Sequence, residues 1–160
     1  ERLSTLALAA QLAKHCRIPI VAAGGIMNGA CIQSALAKGA QAAQMGTAFL
    51  CCDESGTPPS YRHYLLHKQD RPTTLTKAFS GRLARGLENT FTRTMQDQAT
   101  LPFPIQNTLT GPLRQWAMAQ NDAEYLSLWA GTAYAQIQSM STKDLMQQLR
   151  DEIKQALLAR

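Results

Sequence analysis

Two glycine turns carry the strongest chemical signal in this sequence. The first closes the run Ile18-Pro19-Ile20-Val21-Ala22-Ala23-Gly24-Gly25-Ile26, and the second closes Gln41-Ala42-Ala43-Gln44-Met45-Gly46-Thr47-Ala48-Phe49. Glycine has no Cβ, so a ligand can come close to its main-chain N–H. Two such turns at neighbouring strand ends can surround one phosphate with N–H donors. Gly24, Gly25, Gly46 and Thr47 are the candidate donors, with the Thr47 hydroxyl as an extra one, and a short helix from about Ala48 is expected to point its positive end at the phosphate. Ala23 ends the first strand. Gln44 and Met45 finish the second, where they can meet a chain attached to that phosphate. The competing reading is that these glycines only turn the chain.

The surrounding elements must hold the two turns side by side. Leu3, Leu6, Ala9, Ala10 and Ala13 recur at helical spacing, so a helix precedes the first strand. Ile20 to Ala23 show no polar alternation, as expected for a parallel strand buried on both faces. A helix from about Ala30 to Lys38, closed by Gly39, links it to the second short strand. This strand–glycine–helix–strand–glycine series matches the phosphate-binding end of a (β/α)₈ barrel, after strands 7 and 8.

Composition shifts after Leu50. Asp53 to Ser60 is rich in breakers, Tyr61 to Lys68 reads as a helix, and Thr73 to Phe79 reads as a strand. Leu83 to Met95, Leu109 to Gln120 and Asp122 to Gln138 read as helices, with interruptions at Gly86 and Gly131. Leu145, Leu149, Ile153 and Leu157 line one face of a last amphipathic helix.

Several function classes are disfavoured. The 160 residues carry a formal charge of +5 with no basic run, so a nucleic-acid surface is not expected. No apolar stretch is long enough for a membrane span, and no signal-peptide layout is present. The four cysteines (Cys16, Cys31, Cys51 and Cys52) form no C-x-x-C pair, which suits thiols in a reducing cytoplasm. His63 and His67 share a helix face, but Tyr64 stands where a metalloprotease motif needs glutamate, so two surface histidines are expected and no metal. Arg82 and Arg85 could recognise an anion, but solvation or pairing with Glu88 and Asp97 is the simpler expectation. Trp116, Tyr125 and Trp129 read as packing residues.

Four blocks together resemble the nitronate monooxygenase family, formerly 2-nitropropane dioxygenases. They are Ala22-Ala23-Gly24-Gly25-Ile26, Gln44-Met45-Gly46-Thr47-Ala48-Phe49-Leu50, Ala78-Phe79-Ser80-Gly81-Arg82-Leu83-Ala84-Arg85-Gly86 and Leu128-Trp129-Ala130-Gly131. The resemblance implies an FMN-dependent oxidoreductase that uses O₂ to convert alkyl nitronates into a carbonyl compound and nitrite. It implies an α/β fold: residues 1–51 as the C-terminal part of an FMN-binding TIM barrel, 52–139 as a mostly helical substrate or lid domain, and 140–160 as a helix returning to the barrel. By the same resemblance Ala23, Gly24, Gly25, Gln44, Met45, Gly46 and Thr47 bind FMN, and Ser80 and Gly81 belong to the lid. The family's catalytic histidine falls upstream of Glu1, and His15 is not given that role. Its expected partners are a small nitronate and O₂. Two other readings stay open: an FMN-dependent enoyl-acyl-carrier-protein reductase, and an inactive fragment that binds phosphate ligands.

Overall fold

The structure is a computed structural model and describes residues 3–67 and 70–158. Glu1, Lys68 and Arg160, at the ends of expected helices, lie outside the described residues. The chain forms two compact units: Glu1–Ser55 with Thr132–Arg160, and Gly56–Gly131.

The first unit starts with α1 (Thr5–His15), capped by Ser4, whose hydroxyl accepts from the Ala7 amide at 3.2 Å. Strand β1 (Val21–Ala23) follows, then α2 (Gly29–Ala37) and β2 (Ala42–Gln44). The strands pair in parallel, with Val21 opposite Ala42, Ala22 opposite Ala43 and Ala23 opposite Gln44. Ala9, Ala22, Ile26, Ala35 and Ala40 form the core between helices and strands, and Ala43 and Met45 pack against it. Such small side chains let the helices approach the strands closely. The sequence predicts burial on both faces of β1. Instead, Ala22 is buried while Val21 and Ala23 are exposed. Only one side of this two-stranded sheet is covered by helices of the unit.

The last helix of the chain, α7 (Thr142–Leu158), packs on α2. Leu145 and Leu149 are buried as the periodicity predicts, each worth about 2 kcal/mol, whereas Leu157 is exposed. Carboxylates fix this helix at two points. Glu54 Oε2 accepts from the Thr142 amide at 2.8 Å and its hydroxyl at 2.7 Å, which holds the Glu54 carboxyl below its usual pKa. Glu152 Oε2 accepts from the Gly29 amide at 2.6 Å.

The second unit contains α3 (Pro59–His67), an antiparallel hairpin of β3 (Thr73–Thr76) and β4 (Ala84–Leu87), α4 (Thr90–Thr94), α5 (Ile105–Leu109) and α6 (Gly111–Ala119). Leu65, Phe79, Leu87 and Leu128 are fully buried in it. Two helix expectations are corrected. Ala84–Leu87 is a strand, paired through Leu75 and Arg85, and only Thr90–Thr94 of Leu83–Met95 is α-helical. Asp122–Gln138 is not a helix but holds two 3₁₀ turns, Ala123–Tyr125 and Tyr134–Gln136.

Glu124, in the first of those turns, joins three elements. Its carboxylate accepts from Tyr64 Oη, from the Thr90 amide at 2.7 Å and from the Thr90 hydroxyl at 2.7 Å. Arg71 and Arg93 lie 3.4 and 3.7 Å from it. Glu124→Ala removes all of these acceptors at once. The expected loss is roughly 2–3 kcal/mol in urea unfolding followed by tryptophan fluorescence, with Glu124→Gln losing about half as much. Wild-type stability in the alanine variant would contradict this assignment. Both tryptophans, Trp116 and Trp129, lie in this unit, so the signal is specific to it. No helix among the described residues is long and apolar enough to cross a membrane.

Candidate functional site

The parallel register decides the geometry of the site. Because Ala23 lies opposite Gln44, the turns Gly24-Gly25 and Met45-Gly46 leave the sheet at the same end. Gly24 and Gly25 take φ of +109° and +71°, a region that side-chain-bearing residues rarely adopt. Gly46 has an ordinary φ of −113°, so its conformation does not demand glycine. Its feature is space: a Cβ placed there meets nothing within 4 Å. Among the described residues, the amides of Gly25 and Gly46 have no intramolecular acceptor.

Neighbouring groups settle which way this end is polarised. Thr5, in the first turn of α1, donates its hydroxyl to the Gly24 carbonyl at 2.8 Å. An oxygen that would repel an anion is thereby engaged. The N-terminus of α2 is already occupied: Asn28 Oδ1 accepts from the Cys31 amide at 2.9 Å, and Glu152 takes the Gly29 amide. An anion therefore has no place at α2, and the strand-end turns are the available donors. No Lys or Arg occurs between Ile18 and Ala37, or between Gly39 and Leu50. The donors that these two segments themselves offer are amides and hydroxyls.

The expected helix at Ala48 is a single 3₁₀ turn, Thr47–Phe49, anchored by buried Ala48. One turn is too short for a macrodipole of useful size, so the local N–H groups carry the polarity. Gln44 is exposed and Thr47 half-buried. Met45 packs against the alanine core, which leaves its main chain, not its thioether, at the turn.

Sequence reasoning missed a third segment. Tyr134–Gln136 packs against the Thr47–Phe49 turn, with Tyr134 buried. Gln136 Oε1 accepts from Asn28 Nδ2 at 3.0 Å, and Thr132 Oγ1 lies 3.6 Å from where a Gly25 Cβ would stand. These contacts join residues far apart in the chain, Asn28 and Gln136 by 108 positions, and no local pattern announces them.

The other candidates have settings of their own. His15 lies in the last turn of α1, at the end of β1 opposite the glycine turns. His63 and His67 stack with ring centroids 4.5 Å apart on α3 of the other unit. Among the described residues no group of three or more His, Cys, Asp or Glu could hold a metal ion. Arg85 donates to the Thr73 hydroxyl at 3.0 Å, and Arg82 stacks over Phe103 at 5.1 Å. Glu88 pairs with Arg93 at 3.5 Å. Trp129 packs edge-on against Phe79 at 5.7 Å. All four cysteines are thiols, Cys51 and Cys52 buried and Cys16 exposed.

A sequence model of nitronate monooxygenases matches residues 1–152. The chain belongs to the nitronate monooxygenase family. It is 45% identical over 160 residues to a nitronate monooxygenase of Paraburkholderia phytofirmans, covering 98% of this chain and 44% of that protein. A probable nitronate monooxygenase of Staphylococcus haemolyticus is 38% identical, over 97% of this chain and 44% of its own length. The chain thus spans less than half the length of these nitronate monooxygenase relatives. Among solved structures, nitroalkane oxidase from Streptomyces ansochromogenes matches with a TM-score of 0.95 and 41% identity, over 98% of this chain and 45% of that one. FabK from Thermotoga maritima matches less closely, with a TM-score of 0.80 and 28% identity, over 99% of this chain and 51% of that one. The difference between these two matches favours the nitronate monooxygenase family over the reductase reading.

Proposed function

We propose that this chain supplies the phosphate grip of an FMN-dependent nitronate monooxygenase, which oxidises alkyl nitronates with O₂ to a carbonyl compound and nitrite. The carrying observation is the pair of glycine turns held at one end of two parallel strands by the Ala23–Gln44 register. The site fits a phosphate monoester. Gly46 leaves open space where a side chain would intrude, the Gly25 and Gly46 amides have no other acceptor among the described residues, and the nearby Glu152 is tied to Gly29. Gly24, Gly25, Gly46 and Thr47 hold the phosphate. Ala23 and the Met45 main chain frame it, and exposed Gln44 meets the ribityl hydroxyls. In this reading β1 and β2 are strands 7 and 8 of a TIM barrel, and their exposed residues face its interior. When bound, FMN supplies the electron transfer between nitronate and O₂.

No histidine of this chain takes the role of catalytic base. His15 is at the wrong end of β1, and the exposed rings of His63 and His67 stack on each other on α3. Incubated with FMN and propyl-1-nitronate, the 160-residue chain is expected to release no nitrite above the FMN blank. Saturable, protein-dependent nitrite release would place the base within this chain and contradict that assignment.

A further inference from the structure

We propose that Thr132 is a phosphate-binding residue: its hydroxyl is the side-chain donor that completes the cradle of the two glycine turns. This rests on the phosphate reading above and names a residue that the glycine motifs do not contain.

Two threonines flank the glycine pair, and their states differ. Thr5 Oγ1 is 3.3 Å from the Cβ position of Gly24, and its hydroxyl already donates to the Gly24 carbonyl. Thr132 Oγ1 lies 3.6 Å from the Cβ position of Gly25. Thr132 is exposed, and its hydroxyl has no hydrogen-bond partner among the described residues. One hydroxyl therefore holds the turn and the other is available to a ligand.

The placement of Thr132 is not that of a loose loop. Immediately after it, Tyr134 is buried, and the 3₁₀ turn Tyr134–Gln136 packs on the turn that follows Gly46. The Ile137 amide closes that turn on the Tyr134 carbonyl at 2.9 Å, and Gln136 is tied to Asn28. The segment is thus fixed beside both glycine turns, with Thr132 nearest Gly25. A phosphate gripped without Lys or Arg depends on neutral donors, so an added hydroxyl counts for more than it would beside a cation. A hydrogen bond to a charged group is worth about a tenfold or greater change in affinity.

The test is the dissociation constant of FMN and of riboflavin, which lacks the phosphate, measured by flavin fluorescence on the full chain. Thr132→Val keeps the shape and removes the hydroxyl; Thr132→Ser keeps the hydroxyl. The expected result is roughly tenfold weaker FMN binding for Thr132→Val, near wild-type binding for Thr132→Ser, and no change for riboflavin. Wild-type FMN affinity in Thr132→Val overturns the proposal, as does equal weakening of both flavins. A wild-type chain with no preference for FMN over riboflavin removes the phosphate reading itself, and this inference with it. A wild-type preference that survives Thr132→Val removes this inference alone.

Discussion

Gly81→Ala is expected to destabilise the second unit by roughly 3 kcal/mol or more, lowering its melting midpoint by about 10–20 °C. Two independent costs combine. Gly81 has φ of +79°, where an alanine is strained by about 1 kcal/mol. Its Cβ would also stand 2.3 Å from the Leu101 carbonyl oxygen and 2.8 Å from the Phe103 nitrogen. These are main-chain atoms, so no side chain can swing away. Neither side of the contact can yield easily. On one side the Gly81 amide bonds the Lys77 carbonyl at 2.8 Å, and the Ser80 hydroxyl bridges Arg82. On the other, buried Gln106 accepts from the Leu101 amide at 3.0 Å and donates to the Ala78 carbonyl at 2.7 Å. Thr110 adds a 2.6 Å bond to the Phe79 carbonyl. Gly111→Ala is the control: it lies in the first turn of α6 with nothing within 4 Å of its Cβ position, and is expected to be neutral or slightly stabilising. Tryptophan fluorescence during heating reads both variants. Equal midpoints for Gly81→Ala and wild type would show that the Leu101–Phe103 segment moves aside, contrary to the bracing described.

The same residues show why some of the structure was legible in the sequence and some was not. The first unit follows local rules. Gly39 announces the end of a helix and Gly24-Gly25 the end of a strand, and each does so through its own backbone chemistry. The fate of Ala84–Leu87 was set elsewhere. Gly86 reads as a helix interruption, but its missing side chain admits the Leu128 carbonyl, which a Cβ would meet at 2.7 Å. The Leu87 amide bonds that carbonyl at 2.8 Å, and the Ala130 amide bonds Arg85 at 3.2 Å. Those bonds hold 128–130 extended. Asn89, fully buried, takes the carbonyls of Ala123 and Leu126 at 3.0 and 2.8 Å. The helical spacing of Asp122–Gln138 is thus overridden by partners some forty residues away. The site divides in the same way. Its glycines are visible as a motif, while Thr5 and Thr132 enter only through tertiary contact.

The second large effect falls on the ligand instead of the fold. Gly46→Ala keeps an allowed φ of −113° and places its methyl group in open space, so the chain is expected to be as stable as wild type, within about 0.5 kcal/mol. If the phosphate lies against the Gly46 amide, that methyl group occupies the ligand's place. FMN affinity then drops by at least roughly tenfold, as expected where glycine allows close approach to a phosphate. Few substitutions separate folding from binding so cleanly, because a glycine needed for its φ would damage both.

The most direct measurement is therefore FMN affinity, against riboflavin, for the wild-type chain and Gly46→Ala, with melting midpoints taken in parallel. The wild-type chain is expected to prefer FMN, and the variant to be equally stable but without that preference. A wild-type chain indifferent to the phosphate, or a variant that binds FMN as tightly as wild type, would contradict the assignment of these glycine turns as the phosphate grip.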